Sequence, residues 1–190
     1  MVCNHKLMIK MNNSRIGDIG EAMVIVKLMQ NGWDAFNANS VFKNYKSVEI
    51  ICMNPKDCQV QMIQVKTGTG KNPFPTGFNS DNKGNIQNLD IKGPWVFVQT
   101  IGEGIDMKFK FFILSKDEVE TLIKTSNDWY FNKYTRENTL SNNTPVGIKL
   151  AWLKGEGEED NMDSNKKKKH EAFINSLGHD SENRWDKIFK

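Results

Sequence analysis

Between residues 14 and 30 the apolar positions recur at helical spacing, with Ile16, Ile19, Met23 and Val26 along one side and Val24 and Leu28 along another. Ser14 is placed to cap such a helix, and Asn31 and Gly32 to stop it before Trp33. Apolar residues on two sides predict a helix packed against a sheet and against something else, and so substantially buried. The period then falls to two. Short strands are predicted over 34–39, 47–53 and 59–66, and the turn-forming run Asn54, Pro55, Lys56 and Asp57 joins the last two into a β-hairpin. Strand alternation puts Ser47, Glu49, Ile51 and Met53 on one face of the first arm, and Val60, Met62, Gln64 and Lys66 on one face of the second.

From 67 to 94 the chain is rich in Gly, Asn and Pro with scattered Lys, which predicts a long exposed loop of functional or mobile character. Strands follow over 95–101 and 108–114. Ser115 then caps a second helix running to about residue 124, with Asp117 and Glu118 in its first turn, where the helix dipole favours acids. An Asn-rich, aromatic stretch around Trp129, Tyr130, Phe131 and Tyr134 has no clear assignment, and a further strand is predicted over 146–153. The acidic run in 155–163 and the basic run over 166–169 read as a solvated linker. A short helix is expected over 170–177. The expected organisation is one domain over 1–153, a charged linker over 154–169, and a C-terminal helical segment over 170–190 packing on that same domain.

At 190 residues the chain can bury one real core. The 26 basic and 23 acidic residues leave a net charge of +3, so any surface for a polyanion must be a local patch. No apolar run approaches the roughly 18 residues of a membrane span, and no apolar leader with a small-residue cleavage site stands at the start. A cytoplasmic location without membrane contact is the default expectation. Cys3, Cys52 and Cys58 form no CxxC pair, and the expectation is reduced, packing thiols with neither zinc nor disulfide.

Two places put polar groups where the pattern calls for apolar ones. Glu21 falls close in angle to Gly17, Val24 and Leu28 on the mostly apolar stripe of the first helix. It is either an acid near the positive end of a helix, a salt-bridge partner, or part of a site. In the hairpin, a turn centred near Lys56 sets Glu49 opposite Gln64 or nearly so, with Lys66 two places along the same face; a one-residue shift of register spoils the pairing but keeps Gln64 and Lys66 together. That arrangement is either an exposed Glu to Lys ion pair of little energetic weight or a polar constellation with a task.

The order of helix Glu, strand acid, turn and strand Gln-x-Lys resembles the PD-(D/E)xK nucleases. It is carried by GDIGE (17–21), SVEIICM (47–53) and IQVKTG (63–68), with looser similarity in WVFVQ (95–99), FFILS (111–115) and the terminal RWDKIF (184–189). The resemblance implies an α/β fold of the restriction-endonuclease-like type, an αβββ core whose mixed central sheet is flanked by helices. It also implies a metal-dependent nuclease, a DNA endonuclease above all, using Mg2+ or alternatively Mn2+. By the same resemblance Glu49, Gln64 and the carbonyl of Val65 hold the metal, Lys66 stands beside the water or the scissile phosphate, and Glu21 supports the site as an outer or direct ligand. Nucleic acid, DNA in particular, is the implied partner, and a homodimer is compatible with duplex cutting.

This chain departs from the motif twice, with Glu49 in place of the usual Asp and Gln64 in place of the usual acid. The lost charge weakens metal binding and keeps open an alternative, an inactive nuclease-like module that binds nucleic acid or a protein. Lys43, Lys46, Lys71 and Lys83 are candidates for a phosphate-contacting patch. The aromatics from Trp129 to Tyr134 either stack on unpaired bases or fill core. Thr69 to Asn72 does not complete a phosphate-loop pattern, and His5, His170 and His179 lack matched spacing for metal or nucleophile chemistry.

Overall fold

The computed structural model describes residues 12–40, 48–134, 143–156 and 181–189. Helix α1 is Asn13–Gln30, and its cap is Asn12, whose Oδ1 accepts the Arg15 N–H at 2.9 Å. Ser14, the expected cap, lies inside the first turn, because Asn12 holds the extended backbone that a cap requires. At the other end the Asn31 N–H bonds the carbonyls of Lys27 and Leu28, and Gly32 follows at φ 83°. Only one face of α1 is fully buried, that of Gly20, Val24 and Leu28, while Val26 and Met29 remain exposed. The expected second side is only partly covered: Ile16, Ile19 and Met23 are half-buried, with Met23 packed against the core, and Val26 is exposed.

Five strands make the central sheet: β1 (Asp34–Asn37), β2 (Ile50–Met53), β3 (Val60–Gly68), β5 (Trp95–Ile101) and β6 (Lys108–Leu114), in the order β1-β2-β3-β5-β6. The β3–β5 pair is parallel and the other pairs are antiparallel, so the sheet is mixed. β1 ends two residues earlier than expected, and Ala38–Ser40 turns as a short 3-10 helix. β2 is shorter than its predicted 47–53, while β3 runs two residues beyond its predicted end.

β5 and β6 are covered on both faces, which their unbroken apolar runs require. Val96 and Val98 of β5, with Phe111 and Ile113 of β6, join Ile50, Ile63 and Val65 beneath Val24 and Leu28 of α1. Trp95, Phe97, Phe112 and Leu114 face the other way, toward a layer built from a two-stranded sheet and helix α2. That small sheet corrects the sequence reading. β4 (Phe74–Ser80) lies in the middle of the supposed long loop and pairs with β7 (Thr144–Ile148). Its Pro75 and Gly77 look like breakers, yet both fall at an irregularity in the pairing between Pro75 and Asn79, where a strand tolerates them.

Helix α2 (Lys116–Tyr134) also runs past its expected end. Ser126 and Asn127 look like stop signals, but their side chains are held by carbonyls of the next layer: Ser126 Oγ donates to Gly147 O at 3.0 Å and Asn127 Nδ2 to Gly84 O at 2.7 Å. Trp129 therefore stays on the helix and packs on the core, edge-on to Trp152 at 5.5 Å. The predicted strand over 146–153 splits into β7 and a short helix α3 (Leu150–Leu153). The terminal 3-10 turn Trp185–Phe189 seats Trp185 and Ile188 in the α1-side core, and Phe189 meets Trp33 at 5.0 Å.

Cys52 is buried, with its thiol pushed up to about 12 mainly by burial, whereas Cys58 is exposed at φ 58° and is not the packing residue expected. Cys3, His5, Lys43, Lys46, Ser47, His170, His179, most of the charged linker and the helix expected over 170–177 lie outside the described residues. No helix among the described residues is long and apolar enough to cross a membrane.

Candidate active site at the open end of the hairpin

The pairs Ile50 with Ile63, Ile51 with Met62, Cys52 with Gln61 and Met53 with Val60 set the β2–β3 register. Continued by one step, that register places Glu49 across from Gln64, the pairing the turn predicts, and the Glu49 N–H bonds Ile63 O at 3.0 Å. β2 begins just after Glu49, whereas β3 continues to Gly68. Among the described residues, the β2-side edge of β3 from Val65 onward thus has no strand partner, and the Glu49 carboxylate takes that place.

Glu49 Oε2 accepts the Val65 N–H at 3.1 Å, Glu49 Oε1 accepts from Gln64 Nε2, and Lys66 Nζ stands 3.9 Å from the same Oε1. The Gln64 N–H points the opposite way, to Pro94 O at 3.2 Å. Backbone N–H and C=O of one strand residue share an edge, so the Val65 carbonyl opens on the Glu49 side. Glu21 arrives from α1, where its Oε2 accepts from Asn37 Nδ2 at 2.7 Å at the end of β1. The approach of α1 depends on Gly20: a Cβ there would stand 2.6 Å from Thr67 Cγ2. The glycine thus lets the helix backbone lie directly on β3.

Burial and like charge work together on these groups. The carboxyls of Glu21 and Glu49 are both raised above the ordinary glutamate value, each chiefly by burial; repulsion between the two adds at Glu49, and Asp18 adds at Glu21. The Lys66 ammonium is lowered by burial, which outweighs the attraction of both acids. Glu49 and Lys66 share a recess, and Glu21 lies close enough for its charge to bear on both, so the acids gain from any further positive charge.

Above this floor lies a cleft of about 240 Å³. Thr76, Gly77 and Phe78 of β4 form one wall, Asp90 and Lys92 another, and Trp95 lies beneath with its ring 5.4 Å from Lys66 Nζ. Compared with protein-family models, curated proteins and solved structures, the chain matches none.

Of the predicted site residues, Glu49, Gln64, Val65 and Lys66 are drawn together by hydrogen bonds and an ion contact around one strand edge, whereas Glu21 is bonded to Asn37, does not line the cleft and acts on Glu49 and Lys66 through its charge. Lys71 and Lys83 are exposed on turns and do not line the cleft, where Lys92 stands instead. Sequence reasoning missed Asn37, Trp95 and the whole β4 wall. Asn37 had a faint signal, a polar residue closing a strand; Trp95 sits in a run that reads only as core.

Among the described residues no three His, Cys, Asp or Glu side chains gather as a metal-binding group. The oxygens available are the carboxylates of Glu21 and Glu49, the Gln64 amide oxygen and the Val65 carbonyl. Such an all-oxygen set, with two acids destabilised by burial, fits a hard divalent cation such as Mg2+ better than a softer metal.

Proposed function

We propose that this chain is a metal-dependent nuclease of the PD-(D/E)xK kind, with a restriction-endonuclease-like core, acting on DNA as an endonuclease. The observation that carries the reading is the meeting of Glu49, Gln64 and Lys66 at the open edge of β3, with Glu21 electrostatically coupled to Glu49 and Lys66. Ion pairing alone does not account for a second half-buried acid brought in from α1.

In this reading Glu49, Gln64, the Val65 carbonyl and, directly or through water, Glu21 hold Mg2+ or Mn2+. When bound, the metal supplies Lewis-acid activation of water and charge stabilisation at phosphorus. Lys66, held between Glu49 and the Trp95 ring, places a cation where the scissile phosphate enters and orients the attacking water. Its lowered pKa reflects partial desolvation, which strengthens its pull on a phosphate oxygen. Asn37 fixes the Glu21 carboxylate at the end of β1. The walls of the cleft limit bulk water around the reacting phosphate.

One observation favours a second reading. Gln64 gives the site a neutral amide where an acid would add charge, and that amide donates to Glu49. A site so altered fits a binding module that keeps the nuclease shape without the cutting. Supercoiled plasmid and a single-stranded oligonucleotide, incubated with magnesium, manganese or chelator, separate the two. Metal-dependent nicking or cutting supports the nuclease; DNA binding without cutting under every condition overturns it in favour of the module.

A further inference from the structure

The side chains of Glu49 and Lys66 are only 19% and 20% exposed, so they lie at the bottom of the cleft and not on a surface. Among the described residues, the cleft over Lys66 is lined by Thr76, Gly77 and Phe78 on the β4 side and by Asp90 and Lys92 on another. The cleft's volume of about 240 Å³ falls below the roughly 300–1,000 Å³ of sites for drug-sized ligands. That scale suits a single nucleotide unit entering the recess.

The chemistry of the walls suits such a unit. Phe78 is half-buried and lies nearly parallel to Trp95, with ring centroids 6.5 Å apart at 18°. An aromatic surface thus adjoins the cation that takes the phosphate, and every base has a π-face that can stack on it. β4 carries Phe78 just beyond its irregularity, where Gly77 takes φ 85° and no atom lies within 4 Å of the place a Cβ would occupy. An incoming base would stack on the part of the half-buried Phe78 ring that Trp95 leaves uncovered. Bringing a paired base there costs its unstacking and unpairing, whereas a single strand or a bubble is spared that cost.

We infer that the cleft takes one unpaired nucleotide at a time, its phosphate at Lys66 and its base against Phe78, so that single-stranded or locally unpaired DNA is the substrate class. This rests on the nuclease reading for its cutting step but not for its binding step.

The test uses one sequence as a single strand, a full duplex and a duplex with a central unpaired bubble. Cleavage is measured with magnesium, and binding by fluorescence anisotropy with calcium in its place. The native chain should cut and bind the single strand and the bubble at least about tenfold better than the duplex. Phe78→Leu keeps an apolar side chain of somewhat smaller volume but loses the aromatic face, and should weaken single-strand binding about tenfold. Equal handling of duplex and single strand by the native chain overturns the inference and leaves the nuclease reading intact. A strand preference that Phe78→Leu leaves unchanged overturns the role of Phe78. If nothing is cut but the single-strand binding preference holds, the cutting step fails and the nucleotide site stands.

Discussion

Neighbouring residues of β3 serve opposite ends. Ile63, Val65 and Thr67 face α1, where Ile63 is fully buried and the helix backbone lies directly against Thr67. Gln64 and Lys66 face the cleft, where a carboxylate, an ammonium and an amide share a recess whose burial raises the acid and depresses the base. The period of two in a strand makes this division possible within five residues. One face stabilises the fold by removing apolar surface from water, and the other spends part of that stability holding charges where water is scarce.

The sharpest break in this comparison comes from Glu49→Gln. On the nuclease reading it lowers metal-dependent cleavage by at least roughly a hundredfold, measured as a single-turnover rate, while the fold persists. The pH dependence of stability changes with it. Because burial raises the Glu49 carboxyl, the folded chain binds more protons than the unfolded chain between the ordinary glutamate value and the raised one. Stability is therefore lost as pH rises through that window. Glu21 acts in the same direction, and the lowered Lys66 acts oppositely at higher pH. Melting curves across the acidic range should show a shallower decline for Glu49→Gln than for the native chain; an unchanged or steeper slope contradicts burial of the charge.

On the other face, Ile63→Ala should cost about 3 kcal/mol through lost burial and a cavity. In a chain of 190 residues that is a fall of about 10 °C in Tm, with cleavage per folded molecule unchanged at a temperature where the variant remains folded. A loss of rate larger than the loss of folded protein would mean that the two faces are not separable. The smallest effect is expected at Thr67, whose Oγ1 is buried with no hydrogen-bond partner among the described residues. Thr67→Val keeps the shape and removes that hydroxyl, so it should raise stability by about 1 kcal/mol, read from chemical denaturation. A destabilised variant would show that the hydroxyl is satisfied after all.

The hairpin was legible in the sequence because its turn, Asn54 to Asp57, and its alternation fix the register together, and the register alone sets Glu49 across from Gln64. Glu21 was legible as a misplaced acid on an apolar stripe. The β4 wall was not. Its strand carries Pro75 and Gly77, and its partner β7 lies about seventy residues away (Phe74 pairs with Ile148), so neither local propensity nor a nearby turn announces it. Helix α2 outran its apparent stop because the polar side chains of Ser126 and Asn127 are satisfied by carbonyls that only the fold brings near. Asn37 was hidden for a related reason, since its partner Glu21 lies on another element. Signals that depend on one element survive in sequence; those that depend on two distant ones do not.

The most direct test of the central claim is the rate of DNA cleavage by Lys66→Ala beside the native chain, with magnesium and with chelator, alongside the Tm of both. Metal-dependent cutting by the native chain, lost by at least roughly a hundredfold in a variant whose Tm stays within a few degrees, is the predicted result. Native-level cutting by Lys66→Ala would contradict it and move the chemistry away from the open edge of β3.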